Sequence, residues 1–443
     1  MKLTNKYLSF SPSIIIIILI LILILILITP LKSSAQRKVD IEKLRSKYAL
    51  QENRAKLNHN IEEQIKNLSS HENSVIGELE LVNFLDDFDL YPILSEKTQT
   101  VFRKAIERIE VYSISSQRKL LRSVMGYYPQ EFNNEFEMLF INTSDIQIYL
   151  ISLFALHHEG SLIIDKNKIA EEIETRFPEQ ELPVNHELLN YYLESEKLYT
   201  PNLIEFFTHP FMENSTIIYS LHRKNRNYPG LTIIKNTSGK FLRNADSTIF
   251  SVPQLALSIS NLPGFMNQGN TPQGIFSIVG FYVSPTESIG PSPIVLTRIP
   301  FEVSTEIFYH SKQKTTNWRF EDYINLLPES WKNYAPIHEA FYAGKNGRRK
   351  IVMHGSTDEI AFFTEKPFYP LTPTHGCISA KEIWDPKTGK LIESDQSKLM
   401  NAFFSTNNLK GFLVVVDIDD SQRSVQIEDV LNFIQEAENK ITE

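Results

Sequence analysis

The chain has 443 residues and a formal net charge of −8 at pH 7. This acidic balance argues against a nucleic-acid partner, because neutralising phosphates requires a basic face. Its 42% hydrophobic content excludes wholesale disorder, and its length allows two or three domains with full-sized cores.

The N-terminus has the layout of a secretory signal peptide. After a start that contains two lysines, residues 14–28 are an unbroken run of isoleucine and leucine, and Ser33 and Ala35 stand at the −3 and −1 positions of a cleavage site. We therefore expect 1–35 to be removed and the protein to be exported to the periplasm or cell envelope. The alternative is an uncleaved membrane anchor, although the run is shorter than the ~20 residues that a spanning helix needs.

Residues 36–215 form a predicted helical region, because apolar residues recur there at helical spacing between charged ones. We predict helices at 97–125, 145–157, 166–176, 187–197 and 202–208. The segment 145–157 is apolar on nearly every side, which predicts a helix buried within this region. The sequence gives this region no assigned role, and docking of an envelope protein is one candidate.

Short β-branched and aromatic runs begin near residue 216, with turn residues between them. They predict strands at 217–221, 231–234, 249–252, 254–259, 275–283, 294–299, 303–309, 350–354 and 412–418. Helical spacing predicts helices at 320–326, 336–342, 396–404 and 426–439. The predicted class is α+β, with a mostly helical N-terminal region, a β-rich domain with helical insertions over 216–420, and a C-terminal helix within 421–443.

The chain contains one cysteine, Cys377, within the segment T-H-G-C-I-S at 374–379. It lies twenty-three positions after His354, which is itself followed by a glycine. A lone thiol in an exported protein cannot form an internal disulfide, so it is inert, bound to another chain, or a nucleophile. The adjacent histidines favour the nucleophile.

A buried strand that ends at His354 would present the imidazole as a proton acceptor for a nearby thiol. The residues from Ser379 to Glu382 have the S-x-x-E form of a capping box, which predicts a helix directly after Cys377. The amide dipoles at the start of that helix would favour the thiolate. The backbone N–H groups of Gly376 and Cys377 could stabilise the oxyanion that forms when a carbonyl is attacked.

These motifs resemble the signature of the L,D-transpeptidases with a YkuD-type catalytic domain. The His-Gly pair at a strand end and the later T-H-G-C-I both match, and T-P-Q-G-I-F at 271–276 is similar to a second landmark of that family. The resemblance covers about 215–420 and leaves the helical region outside it.

The resemblance implies that Cys377 is the nucleophile, that His354 is its base, and that the main-chain carbonyl of Gly355 orients the imidazole. It also implies that three neighbouring residues shape the oxyanion pocket and the substrate channel, namely Thr374, His375 and Gly376. His375 is the alternative base, because proximity in sequence does not fix the orientation of a ring.

Family members attack peptidoglycan stem peptides, release the terminal D-alanine, hold a thioester, and pass the acyl group to an amine. The resemblance thus implies stem peptides as partners and no metal or organic cofactor. Two features depart from the family: Ser379 stands where Arg or Asn is usual, and the stretch from His354 to Thr374 is longer. Hydrolysis of the thioester and a non-catalytic wall-binding scaffold therefore stay open as alternatives.

Overall fold

A computed structural model describes residues 37–70, 75–158, 166–178, 184–193, 199–210, 213–311 and 317–442. The expected signal peptide and its cleavage site lie outside these residues. From Val39 to Glu443 the chain forms one compact unit. Among the helices described, none combines the length and the apolar character needed to cross a membrane.

The first part of the chain is helical, as predicted. Its helices are α1 Gln51–Ser70, α2 Glu78–Leu90, α3 Glu96–Glu107, α4 Ile114–Tyr127, α5 Asn133–Asn142, α6 Ile146–His158, α7 Lys166–Arg176, α8 His186–Leu193 and α9 Leu203–Phe207. Helix α6 is buried at Ile146 and throughout Ile148 to Leu156, which confirms the prediction of a buried helix in this part. The last residues of the helix predicted at 187–197 lie outside the described ranges.

The single helix predicted at 97–125 is wrong, because the chain breaks there into α3 and α4. The break is stabilised by Ser113, whose hydroxyl caps α4 by accepting from the Ser116 N–H. The Glu78 carboxylate at the start of α2 accepts hydrogen bonds from the backbone N–H of Ser113 (3.0 Å) and the hydroxyl of Ser116 (2.7 Å). A contact from a distant helix thus fixes where α4 begins.

A mixed sheet forms the second part, and its strands run in the order β3-β2-β1-β10-β4-β5-β6-β7. They are β1 Thr216–Arg223, β2 Gly230–Lys235, β3 Ser251–Gln254, β4 Gly274–Val283, β5 Pro293–Arg298, β6 Met353–His354, β7 Ile378–Ser379 and β10 Gly411–Asp419. The pairs β1–β10 and β6–β7 are parallel, and the other neighbours are antiparallel. Helices and a mixed sheet in one unit confirm the α+β class.

Other elements surround this sheet. They are a hairpin of β8 Glu382–Trp384 and β9 Leu391–Ser394, and the helices α10 Thr305–Phe308, α11 Phe320–Ile324, α12 Glu339–Lys345, α13 Asp395–Ser405 and α14 Leu431–Thr442. Helix α13 packs against β5, and α14 packs against α9 of the helical part.

The strand predicted at 303–309 is wrong, because Thr305–Phe308 is a short helix. Ser304 caps it, and the aromatic side chain of Phe308 packs against Trp318 with ring centroids 4.9 Å apart. The segment predicted as a strand at 254–259 instead makes isolated bridges, in which Leu255 pairs with Ser379 and Ser258 pairs with Thr374. Of the strand predicted at 350–354, only Met353–His354 forms.

The helical part and the sheet share one hydrophobic core. A buried polar contact reinforces it: the Tyr192 hydroxyl on α8 donates to the carboxylate of Glu339 at the start of α12. The same carboxylate accepts from the backbone N–H groups of Phe265 (3.1 Å) and Gln273 (2.9 Å). Because Glu339 is almost fully buried, these donors supply the hydrogen bonds that its carboxylate would otherwise lack.

Candidate active site

Two short parallel strands bring Cys377 and His354 to the same place. Met353 of β6 pairs with Ile378 of β7, and His354 pairs with Ser379. The Ile378 N–H donates to the Val352 carbonyl (3.0 Å), so Cys377, which precedes β7, lies beside Val352. Since side chains alternate along a strand, the thiol and the imidazole project from the same face.

The turn before the cysteine is closed by Thr374. Its hydroxyl donates to the carbonyl of Cys377 (2.9 Å) and accepts from the N–H of Gly376 (3.0 Å). Gly376 has a φ of +102°, which favours glycine. Thr271 of the second landmark donates to the Gly376 carbonyl (3.0 Å), so both sequence landmarks meet at this turn.

Because Thr374 uses the N–H of Gly376, that amide is already engaged within the turn. The N–H of Cys377 has no acceptor among the described residues. Of the two oxyanion donors expected from the sequence, Cys377 is therefore the one that is available.

The imidazole of His354 is held by the next residue along the chain. Its Nδ1 contacts the carbonyl oxygen of Gly355, and because a carbonyl only accepts, Nδ1 carries the proton. In the neutral ring this leaves Nε2 with a free lone pair. Burial lowers the pKa of His354, with the Gly355 carbonyl opposing it, so the neutral base is favoured near pH 7.

Cys377 is a half-buried residue, and its Sγ lies 3.5 Å from the carbonyl oxygen of Lys350. Burial raises its pKa, while the Val352 N–H and the positive charge of Arg348 act in the opposite direction. Because the pKa of the thiol is raised and that of the imidazole is lowered, both groups are favoured in their neutral forms before substrate binds. Proton transfer would then accompany attack on a substrate.

Three basic residues in a row, Arg348 to Lys350, would indicate a solvated cluster from the sequence alone, but for Arg348 the structure shows that this is wrong. Its guanidinium is buried, and it donates to the carbonyls of Asn270 (2.8 Å) and Gly269 (3.0 Å). A side chain at Gly376 would overlap this guanidinium, so Arg348 lies directly beneath the cysteine turn. Arg349 and Lys350 are exposed.

The helix expected after Cys377 is also absent. The chain continues into β7, and Glu382 begins β8. The Ser379 hydroxyl donates to the Thr372 carbonyl (2.6 Å) and does not cap a helix. The S-x-x-E pattern therefore does not report a capping box here, and no helix dipole lowers the pKa of the thiol.

Glu382 instead lies against Gly355, the residue that follows His354. Its buried carboxyl group accepts from the hydroxyl of Ser394 (2.7 Å) and from Ser292. A side chain at Gly355 would overlap this carboxyl group, which explains the need for glycine there. Burial raises the pKa of Glu382 to about 8, so the group is largely protonated at neutral pH.

This buried carboxyl group predicts a pH dependence of stability. Between the ordinary pKa of 4.5 and the folded value of about 8, the unfolded chain has lost a proton that the folded chain keeps. Stability should therefore fall as pH rises through this window, by on the order of a few kcal/mol. Glu382→Gln, which mimics the neutral form, should flatten that fall in urea unfolding at pH 5 and pH 8.

The exposed Glu393 on the same hairpin provides the control, since its contact with Lys381 lowers its pKa. Glu393→Gln should leave the fall between pH 5 and pH 8 in place. An equal slope in the parent and in Glu382→Gln would contradict the assigned role of Glu382.

Cys377, His354 and the exposed His375 line a common cavity of about 180 Å³. Its opposite wall comes from the helical part of the chain, with Asp89 at the end of α2 and Tyr127 at the end of α4. Burial raises the pKa of Asp89, and the nearby His375 opposes this effect. The helical region is thus part of the candidate site.

The helical part also holds the long loop between His354 and Thr374. Arg54 on α1 donates to the Thr357 carbonyl (2.9 Å) and pairs with the carboxylate of Glu359. The Tyr91 ring, just after α2, packs edge-on against Phe362 at 4.6 Å. The loop extension noted in the sequence is therefore an ordered surface that packs on the helices.

A larger, mainly apolar cavity of about 560 Å³ adjoins the cysteine pocket. The two share lining residues, which are Pro92, Tyr127, Ile259, Phe362, Phe363 and Pro373. Beyond it, a polar chamber of about 460 Å³ shares His158, Asn227 and Asn261 with the apolar cavity. Together these three spaces form a groove between the helices and the sheet.

The structure thus brings Cys377, His354, Gly355, Thr374, His375 and Gly376 together, whereas the Ser379 side chain is buried and bonded to Thr372. Sequence reasoning missed Arg348, Glu382 and the helical wall at Asp89 and Tyr127. Arg348 belongs to a run of basic residues, which suggests a solvated cluster. Glu382 is the last residue of the S-x-x-E pattern, which suggests a helix cap. For the helical wall the sequence carries no local signal.

Within the described part of the chain, no group of three or more His, Cys, Asp or Glu side chains could hold a metal ion. Comparison with protein families, with curated proteins and with solved structures finds no match to this chain.

Proposed function

We propose that this protein is an exported cysteine L,D-transpeptidase with a YkuD-like catalytic domain that acts on peptidoglycan stem peptides. The observation that carries the proposal is the shared cavity of Cys377 and His354, in which the Gly355 carbonyl fixes the protonated Nδ1 of the imidazole. A nucleophile, a base and a group that orients the base are the parts that thiol catalysis requires.

In the proposed reaction, Nε2 of His354 takes the thiol proton as Sγ of Cys377 attacks the carbonyl carbon before the terminal D-alanine. The Cys377 N–H stabilises the resulting oxyanion, and the positive charge of Arg348 beneath the turn adds to this effect. Collapse expels D-alanine, which takes the proton from His354, and leaves a thioester. An acceptor amine then attacks the thioester and restores the thiol.

The helical region is proposed to form the second wall of the substrate cleft. Asp89 and Tyr127 face the catalytic pair across the pocket, and Arg54 anchors the loop that closes one side. Docking of an envelope protein on the outer surface of these helices remains compatible with this role.

The test is incubation of the purified protein with isolated tetrapeptide muropeptides, followed by mass analysis of the products. A transpeptidase should release D-alanine and produce 3-3 cross-linked dimers. If only tripeptides appear, water is the acceptor and the protein is a hydrolase that uses the same thioester. Unchanged tetrapeptides would reject both activities.

A further inference from the structure

The polar chamber at the far end of the groove contains a buried cation that is only partly paired. Arg226 lies in the turn after β1, and its side chain lines the chamber. The residue is 6% exposed, and its Nη2 forms an ion pair with Asp417 (2.8 Å). Its Nη1 is buried and has no hydrogen-bond partner among the described residues.

An unpaired guanidinium nitrogen in such a place is costly, because a buried donor loses its bonds to water without replacement. The ion pair with Asp417 compensates the charge only in part, since burial raises the pKa of Asp417 to about 7. A ligand with an oxyanion group would supply the missing acceptor.

Lys224 adds a second positive charge to the same chamber. Its ammonium lies 4.6 Å from the centroid of the Tyr191 ring, and its side chain lines the space beside Arg226. One carboxylate, that of Asp420, also lines the chamber, and it accepts from Gln422 (3.2 Å).

The neutral amides of the chamber are paired with one another. The Asn225 side chain donates to Gln422 (2.6 Å), and the Asn270 side chain donates to Asn261 (2.9 Å). They therefore do not supply the acceptor that Arg226 lacks, and the two cations determine which ligand the chamber favours.

We propose that Arg226 and Lys224 form an oxyanion site that anchors the distal end of an extended ligand, which runs from Cys377 through the apolar cavity to the chamber. The anion would be a carboxylate of the stem peptide or a phosphate group. The stem-carboxylate form rests on the proposed function, whereas the phosphate form does not.

The experiment measures binding to the full chain that carries Cys377→Ala, so that no turnover is needed. Calorimetry would compare inorganic phosphate, a stem tripeptide with free carboxylates, and the same tripeptide with its carboxylates amidated. At least one of the two anions should bind, and the amidated peptide should bind about tenfold more weakly than the acid if the carboxylate is recognised.

Arg226→Gln should weaken anion binding by about tenfold or more, and Lys224→Gln should weaken it by a smaller factor. Lys240→Gln is the control, because this exposed lysine lines none of the three spaces. If Arg226→Gln fails to fold because Asp417 loses its partner, the effect of Lys224→Gln decides the question.

If the cation variants bind only the tripeptide more weakly, the anion is the stem carboxylate. If they bind only inorganic phosphate more weakly, the anion is a phosphate group. The proposal is overturned if neither phosphate nor the tripeptide binds the Cys377→Ala chain. It is also overturned if the Arg226→Gln and Lys224→Gln variants bind these anions as tightly as that chain does. Anion binding that depends on Arg226 in a protein without acyl transfer would refute the proposed function alone. Acyl transfer that is unaffected in both cation variants, with no anion binding, would refute this proposal alone.

Discussion

Replacement of Cys377 by alanine should abolish covalent capture of a carbapenem and lower the formation of cross-linked dimers by at least about a thousandfold. The physical reason is that the acyl group is carried by a thioester, and no other cysteine is present in the chain. Intact-protein mass spectrometry checks the adduct, which should be stoichiometric in the parent and missing in Cys377→Ala.

The variant should remain folded, because Cys377 is only half-buried and its thiol makes weak contacts, such as the 3.5 Å contact with the Lys350 carbonyl. Equal melting temperatures of the parent and the variant provide the control. If the parent itself forms no adduct, the thiol is not activated and the scaffold alternative gains support. An adduct that persists in Cys377→Ala would place the reactive group elsewhere.

The second large effect is expected at His354. His354→Gln should slow thioester formation by roughly a hundredfold to ten-thousandfold, which is the range of general base catalysis. His375→Gln is the matched variant, since it removes the exposed imidazole of the same cavity while leaving the buried one in contact with Gly355. Single-turnover rates with a carbapenem compare the two variants.

We expect the loss in His375→Gln to be far smaller, because no Gly355-like carbonyl contact with the His375 ring is found among the described residues. The reverse order, with His375 essential and His354 dispensable, would assign the base to the exposed ring and overturn the proposed mechanism. Equal losses would require both imidazoles in the proton transfer.

Strands with a strong local signal were predicted well from the sequence. The apolar β-branched runs at 217–221 and 412–418 fall within β1 and β10, which lie side by side at the buried centre of the sheet. Where a tertiary contact decides the structure, prediction failed. The chain turns helical at Thr305–Phe308, where Phe308 packs against Trp318.

The motif residues of the candidate site could be found because a lone cysteine that directly follows one His-Gly pair, with a second His-Gly pair upstream, is an unusual pattern. The residues that pack around these motif residues could not be predicted, because they make their contacts across long stretches of sequence. Glu382 acts on Gly355 through packing, and Arg348 lies under Gly376 through a turn that no local pattern describes. The facing wall at Asp89 is separated from Cys377 by most of the chain.

The contact of Tyr192 with Glu339 determines how the chain can be divided into fragments for expression. That carboxylate also holds Gln273, which lies within the second sequence landmark, so a residue of α8 helps to secure the frame of the candidate active site. An expression fragment cut at the start of β1 would lose this hydroxyl and uncover the apolar surface on which the helices rest. Such a fragment should aggregate, and its lack of activity would then say nothing about the chemistry of the thiol.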